Sequence, residues 1–95
     1  MALISFGETP CALCQKVIDK DDDLVATSHF ITDPADPLCR FSDAGMHRRC
    51  FRAWDQREAF IRRFNETVGR RVWGNGRVRR MEPDGRILEQ RATQL

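Results

Sequence analysis

Two short stretches decide the fold of this 95-residue chain: Cys11-Ala12-Leu13-Cys14 and His47-Arg48-Arg49-Cys50. Each stretch begins and ends with a side chain that binds metals, with two residues between them. A Cys-x-x-Cys turn directs both sulfurs to one point, and side chains at positions i and i+3 share one face of a helix. The sequence therefore predicts one metal site with four ligands: Cys11, Cys14, His47 and Cys50.

The composition of this ligand set indicates zinc in a structural role. Cysteine and histidine are the usual tetrahedral ligands of zinc, and four protein ligands leave no position for water or substrate. A chain of this length buries only about two-thirds or less of the surface that its unfolded form exposes. A bound metal would supplement such a small core. We expect one structural Zn²⁺ in a single domain spanning residues 1–95.

Disulfides are the alternative use of four cysteines, and they require an oxidising compartment. The segment Met1 to Phe6 carries no early positive charge, and Gly7 to Pro10 interrupts the apolar stretch before it reaches the length of a signal peptide or membrane span. We therefore expect reduced cysteines, a cytoplasmic location and no membrane partner.

The net charge of +2 hides an uneven distribution. Residues 1–47 contain three basic and eight acidic side chains, whereas residues 48–95 contain thirteen arginines and six acidic side chains. Such asymmetry is typical of chains with a charged partner, either nucleic acid or an acidic protein. Mutual attraction of the two halves of the chain explains it equally well.

The hydrophobic pattern predicts a small α+β domain. Val17-Ile18 and the β-branched, apolar segment 24–32 flank the acidic turn 19–23, which predicts a β-hairpin. Prolines at positions 34 and 37 predict a loop over residues 33–45, and a helical pattern covers about 43–65, with Ser42 or Asp43 as N-cap. Turn residues then divide segments 70–73, 77–81 and 86–90 into a three-stranded meander.

The order of these features resembles a treble-clef zinc finger: Cys-x-x-Cys, a β-hairpin, and His-x-x-Cys on a helix. Met46-His47-Arg48-Arg49-Cys50-Phe51 is similar to the His-x-x-Cys-Phe stretch of LIM domains. Ala53 stands where the next LIM cysteine would fall, so the resemblance implies a single zinc and only the first LIM half-site. It implies a treble-clef-like core over residues 9–66, formed by knuckle, hairpin and one main helix, and a C-terminal β extension over 67–95.

Two further residues carry metal-binding or catalytic side chains. Cys39 could replace His47 to give a four-cysteine site, but it has no ligand partner at clamp spacing, so we favour a small buried hydrophobe under the loop. His29 has no carboxylate at catalytic spacing, which favours a hydrogen-bonded structural histidine.

These patterns favour a binding protein over an enzyme. A zinc deaminase needs His-x-Glu beside Pro-Cys-x-x-Cys, and the sequence holds only the second motif. No paired histidines of His-Asn-His nucleases are present either. We expect a non-enzymatic protein-interaction module, such as an adaptor, regulator or immunity-type protein, with no small-molecule substrate. The predicted partner-binding residues are Arg48, Arg49, Arg52, Arg62 and Arg63. The alternative is nucleic-acid binding through this arginine-rich helix face and the arginines of the C-terminal strands.

Overall fold

The computed structural model describes residues 4–91, which fall into two units. The first unit ends at Trp54 and the second begins at Asp55. Predictions that concern Met1 to Leu3 or residues 92–95 lie outside the described residues. Within the described range, no helix combines the length and apolar character that crossing a membrane requires. The extent of the domain over 1–95 stays a prediction.

The first unit contains two short antiparallel strands and a helix. Strand β1 spans Leu24–Ala26, strand β2 spans Gly45–His47 and helix α1 spans Arg48–Ala53. Leu24 pairs with His47, and Ala26 pairs with Gly45. The hairpin predicted from segments 17–18 and 24–32 is therefore wrong. Strand β1 pairs instead with β2, and 18 residues separate the end of β1 from the start of β2. Val17 instead forms an isolated bridge with Pro10.

The loop between β1 and β2 is anchored by the buried hydroxyl of Ser42. Its oxygen accepts hydrogen bonds from the backbone N–H groups of Phe30 and Ile31, at 2.7 and 3.2 Å. Asp36 accepts a bond from the N–H of Leu38, just before a short 3-10 helix spans Cys39–Phe41. These bonds satisfy backbone groups that a strand or helix would otherwise pair.

The prediction of one long helix over about 43–65 is wrong in two respects: the helix begins later, and it is interrupted after Ala53. Residues 45–47 are a strand because they pair with β1, which buries Met46 and His47. The helix therefore begins at Arg48, and neither Ser42 nor Asp43 is its N-cap. Trp54 then leaves the helical conformation, with φ −76° and ψ 127°, and ends α1.

The second unit packs one helix against a β-hairpin. Helix α2 spans Arg57–Thr67, a 3-10 helix spans Val68–Arg70, and strands β3 and β4 span Arg77–Met81 and Ile87–Arg91. The side chain of Asn65 joins helix and strand: its Oδ1 accepts from the Met81 N–H at 2.8 Å, and its Nδ2 donates to the Met81 carbonyl at 3.3 Å. Five side chains of this unit are buried: Phe60, Phe64, Val68, Val78 and Met81.

The predicted meander is corrected to two strands. Strands β3 and β4 pair in continuous antiparallel register from Arg77 opposite Arg91 to Met81 opposite Ile87. The segment predicted as the first strand, 70–73, forms no strand. Arg70 ends the 3-10 helix that follows α2, and residues 71–73 are irregular. The predicted α+β class is confirmed.

Candidate metal centre

The first two ligands lie on a tight turn between Pro10 and Val17. The Cys11 N–H donates to the Lys16 carbonyl at 2.8 Å, and the Gln15 N–H donates to the Cys11 carbonyl at 2.9 Å. Gln15 adopts a left-handed conformation with φ 66°, which normally favours glycine. Its Nε2 donates to the Ala12 carbonyl at 3.2 Å, which offsets part of that strain. This closed turn places both sulfurs on one side of the chain.

The other two ligands lie at the junction of β2 and α1. His47 is the last residue of β2, where it is only 2% exposed, and Cys50 lies in the first turn of α1. The Ala12 N–H donates to the Gly45 carbonyl at 3.0 Å, which ties the cysteine turn to the start of β2. Local turn geometry and strand pairing thus bring the four predicted ligands together.

The ligand atoms of Cys11, Cys14, His47 and Cys50 all lie within 4.8 Å of one another. Nδ1 of His47 is 3.4 Å from the Cys14 sulfur and 4.0 Å from the Cys50 sulfur. Tetrahedral zinc with its usual bond lengths separates such nitrogen and sulfur ligands by about 3.6 Å. The predicted site is confirmed as a cluster of three cysteines and one histidine that could hold one metal ion.

Asp22 orients the histidine and was not predicted from the sequence. Its Oδ2 lies 3.1 Å from Nε2 of His47 and also accepts the Asp19 N–H at 2.8 Å. The Asp19 N–H lowers the pKa of Asp22 most, and the hydrogen bond to His47 lowers it further, against the effect of burial. An ionised carboxylate that accepts the Nε2 proton leaves the Nδ1 lone pair directed at the sulfurs. Ligating histidines usually have such a carboxylate partner.

The protein also provides hydrogen bonds to the sulfurs. Cys11, which is fully buried, accepts the N–H of Leu13 at 3.4 Å and that of His47 at 3.3 Å. The hydrogen bond from the backbone N–H of Lys16 is the main cause that lowers the pKa of Cys14 to about 6, against the effect of burial.

Burial, followed by the neighbouring Cys14 and Cys11, raises the pKa of Cys50 to about 11. The protein without metal therefore stabilises the thiolate of Cys14 and disfavours that of Cys50. A bound cation would offset the repulsion among the thiolates and displace the remaining protons.

Neither of the other two candidate residues belongs to the cluster. The thiol of Cys39 is half-buried and donates to the Ile31 carbonyl at 3.3 Å, so the expected small buried hydrophobe is corrected to a hydrogen-bonded thiol. His29 is exposed and lies outside the cluster.

An open groove of about 300 Å³ lies beside the cluster and includes Cys50 in its wall. Phe41 and Trp54 form an aromatic pair in this groove, with ring centroids 4.6 Å apart. The Arg40 guanidinium lies over the Phe41 ring, with its carbon 5.1 Å from the centroid. We call this surface the aromatic groove. Its full lining is Ala12, Leu13, Gln15, Arg40, Phe41, Cys50 and Trp54.

The five arginines predicted to bind a partner are divided between the two units. Arg48, Arg49 and Arg52 belong to α1, whereas Arg62 and Arg63 belong to α2. Arg48 is only 14% exposed: its Nε donates to Asp23 at 2.9 Å and its Nη2 donates to the Leu24 carbonyl at 3.2 Å. Arg48 therefore fastens α1 to β1. Partner binding by the set stays a prediction.

Comparisons with protein-family models, curated proteins and solved structures find no match to this chain.

Proposed function

We propose that this chain is a non-enzymatic, zinc-stabilised module that binds another protein. The observation that carries the proposal is the set of four protein donors, three thiols and one imidazole, gathered at a single point. This donor set is typical of structural zinc, and it leaves no coordination position for a substrate or a reactive water. A zinc ion here would stabilise the fold and take no part in chemistry.

The arrangement of the donors supports a treble-clef-like finger. Two donors come from the turn between Pro10 and Val17, and the other two come from the end of β2 and the first turn of α1. A cysteine turn and a helix that each supply donors are features that the resemblance to LIM-type domains implies, whereas the strand that ends in His47 pairs with β1 and replaces the implied hairpin. A metal site made of these donors requires reduced cysteines, which supports a reducing cytoplasm.

The aromatic groove is the surface that we propose binds the partner. Tryptophan, phenylalanine and arginine are enriched in protein interfaces, and the most important contacts commonly centre on such anchors. Trp54 and Phe41 offer apolar area, and Arg40 offers a charged group at the same place. Because Cys50 lines the groove and helps to hold the metal, zinc would keep the groove in shape.

The experiment combines metal analysis with affinity capture. We expect about one equivalent of zinc in the purified full-length protein, and specific capture of a protein from a lysate of the source organism. Trp54→Ala should abolish capture while zinc content is retained. Phe6→Ala is the matched control, because Phe6 is an exposed aromatic residue outside the groove. Equal capture by wild type and Trp54→Ala would overturn the proposal.

Nucleic-acid binding is tested in the same preparation. Fluorescence anisotropy with random duplex DNA and single-stranded RNA at physiological salt should give no submicromolar binding. Tight binding with a steep inverse dependence on salt, lost when exposed Arg49 and Arg62 are replaced by glutamate, would favour the nucleic-acid alternative.

A further inference from the structure

The second unit contains a cleft that is lined by three arginines. Arg62 lies on α2, Arg70 on the 3-10 helix that follows it, and Arg80 on β3. The cleft is open, about 530 Å³ in volume, and is completed by Asn65, Glu66 and Gly69. We call it the arginine cleft. All three arginines are exposed, and none forms an ion pair within the part of the chain that the structure describes.

The fold directs these arginines to one place. Successive side chains of a strand point to opposite faces, so Arg80 and Arg79 point to opposite faces of β3. Arg79 lies over the Trp73 ring, with its guanidinium carbon 4.3 Å from the centroid, and pairs with Glu89 at 3.3 Å. Arg79 is thus engaged by its own unit, whereas Arg80 lines the cleft together with Arg62 and Arg70.

Gly69 lies close to β3 at the cleft. A Cβ atom at this position would lie 3.4 Å from the Arg79 carbonyl oxygen and 3.5 Å from the Cβ of Asn65. The hydrogen bonds between Asn65 and Met81 fix the same junction. The three arginines therefore extend from backbone segments that this junction holds together.

Charge and geometry point to a phosphate monoester. Three guanidinium groups and the Glu66 carboxylate give the cleft a formal charge of +2, which matches the charge of about −1.5 to −2 on a phosphorylated side chain at neutral pH. Arginine binds phosphate oxygens with paired, charge-assisted hydrogen bonds. The cleft lies beside the C-terminal half of α2, where the helix dipole repels anions, so the side chains must supply the attraction.

We propose that the arginine cleft binds a phosphorylated serine or threonine of the partner protein. The proposal rests on the proposed function, because it requires that the partner is a protein. It adds a second contact, in the second unit, that operates only after the partner has been phosphorylated. Recognition of a phosphorylated segment by an arginine cluster is an established use of this chemistry.

The test uses the full-length, zinc-loaded protein and a five-residue peptide, Gly-Gly-phosphoserine-Gly-Gly, with its unphosphorylated form as the reference. Titration is followed by NMR at low ionic strength, through the Gly69 amide and the arginine Nε–H signals. We expect saturable shifts at the cleft with the phosphorylated peptide and with inorganic phosphate, and none with the reference peptide. Absence of saturable shifts with the phosphorylated peptide would overturn the proposal.

Variants separate a specific site from general attraction. Arg80→Gln should weaken phosphopeptide binding about tenfold, the usual size of a lost charge-assisted contact. Arg80→Lys should weaken it less, since the charge remains but the paired geometry is lost. Glu66→Gln should strengthen binding. Arg77→Gln is the matched control, because Arg77 is an exposed arginine of β3 outside the cleft. If Arg77→Gln and Arg80→Gln weaken phosphopeptide binding equally, the assignment of the arginine cleft as the binding site is overturned.

The nature of the partner is tested separately. Random single-stranded RNA that displaces the phosphopeptide and binds more tightly would assign the cleft to nucleic acid and overturn the proposal. Failure here is distinguishable from failure of the proposed function, since capture of a protein through Trp54 does not require the arginine cleft. If capture persists while the phosphopeptide does not bind, only the proposal for the cleft falls.

Discussion

Oδ2 of Asp22 lies 3.1 Å from Nε2 of His47, while Nδ1 of the same ring faces the sulfurs of Cys14 and Cys50. The carboxylate thus orients the imidazole so that Nδ1 faces the sulfurs. Asp22 is itself held in place by the N–H of Asp19, at 2.8 Å. Asp22 is therefore a fifth residue that contacts one of the four candidate ligands without being one of them.

Replacing Asp22 should weaken metal binding while the four ligands remain. We predict that Asp22→Asn lowers zinc affinity about 10- to 100-fold, as is usual when the partner of a ligating histidine is lost. Competition with a chromogenic chelator measures this affinity. Asp21→Asn is the control, because it removes the same charge from an exposed neighbour that is outside the cluster. Equal affinities for Asp22→Asn and wild type would contradict the assigned role.

The thiol cluster and the isolated thiol should respond differently to substitution. Structural zinc contributes about 10 kcal/mol or more, which is comparable to the whole stability of a small domain. We therefore predict that Cys14→Ser loses the metal and unfolds the first unit, whereas Cys39→Ser retains about one equivalent. Elemental analysis and NMR signal dispersion measure both effects. Zinc loss by Cys39→Ser together with zinc retention by His47→Ala would show that the ligand set is wrong.

The four ligands could be predicted because their spacing is local. Cys-x-x-Cys and His-x-x-Cys each bring two donors together over four residues, although His47 lies at the end of β2 and not on the helix where it was predicted. Asp22 could not be predicted, since its position depends on the pairing of Leu24 with His47 across 22 intervening residues. The sequence predicted β1 but assigned it the wrong partner strand, and with the wrong partner the acidic turn had no reason to lie beside the metal site.

The interruption of the predicted long helix also depends on distant contacts. The segment Trp54-Asp55-Gln56 contains neither glycine nor proline, so nothing local indicates a break. In the structure the Trp54 ring contacts Phe41, which comes from the loop between β1 and β2. A helical pattern could not reveal that contact. Arg48 was predicted to bind a partner for a similar reason: the sequence does not show that Asp23 and the Leu24 carbonyl accept its hydrogen bonds.

Arg48 and Arg49 are adjacent arginines with different expected roles. Arg48→Glu would place a carboxylate beside Asp23 and the Leu24 carbonyl, so we predict a loss of about 1–3 kcal/mol in the free energy of unfolding. Arg49 is exposed and its charge attracts the Asp22 carboxylate, so Arg49→Glu should cost less than Arg48→Glu, about 0.5 kcal/mol. Urea denaturation of the zinc-loaded proteins measures both. A destabilisation by Arg49→Glu as large as that by Arg48→Glu would contradict the anchoring role of Arg48.

Asn65 should be the most sensitive polar residue at the junction of α2 and β3. Its side chain satisfies both the N–H and the carbonyl of Met81, a residue that is only 4% exposed. Asn65→Ala leaves both groups without this partner, so we predict a loss of about 1–3 kcal/mol in the free energy of unfolding. Asn75→Ala is the matched control: Asn75 accepts one exposed bond, from the Arg77 N–H at 3.1 Å, and its loss should cost about 0.5 kcal/mol or less. Denaturation followed by tryptophan fluorescence and by NMR of the second unit compares the two variants. If Asn65→Ala and Asn75→Ala lower the free energy of unfolding equally, the side chain of Asn65 is not what joins α2 to β3.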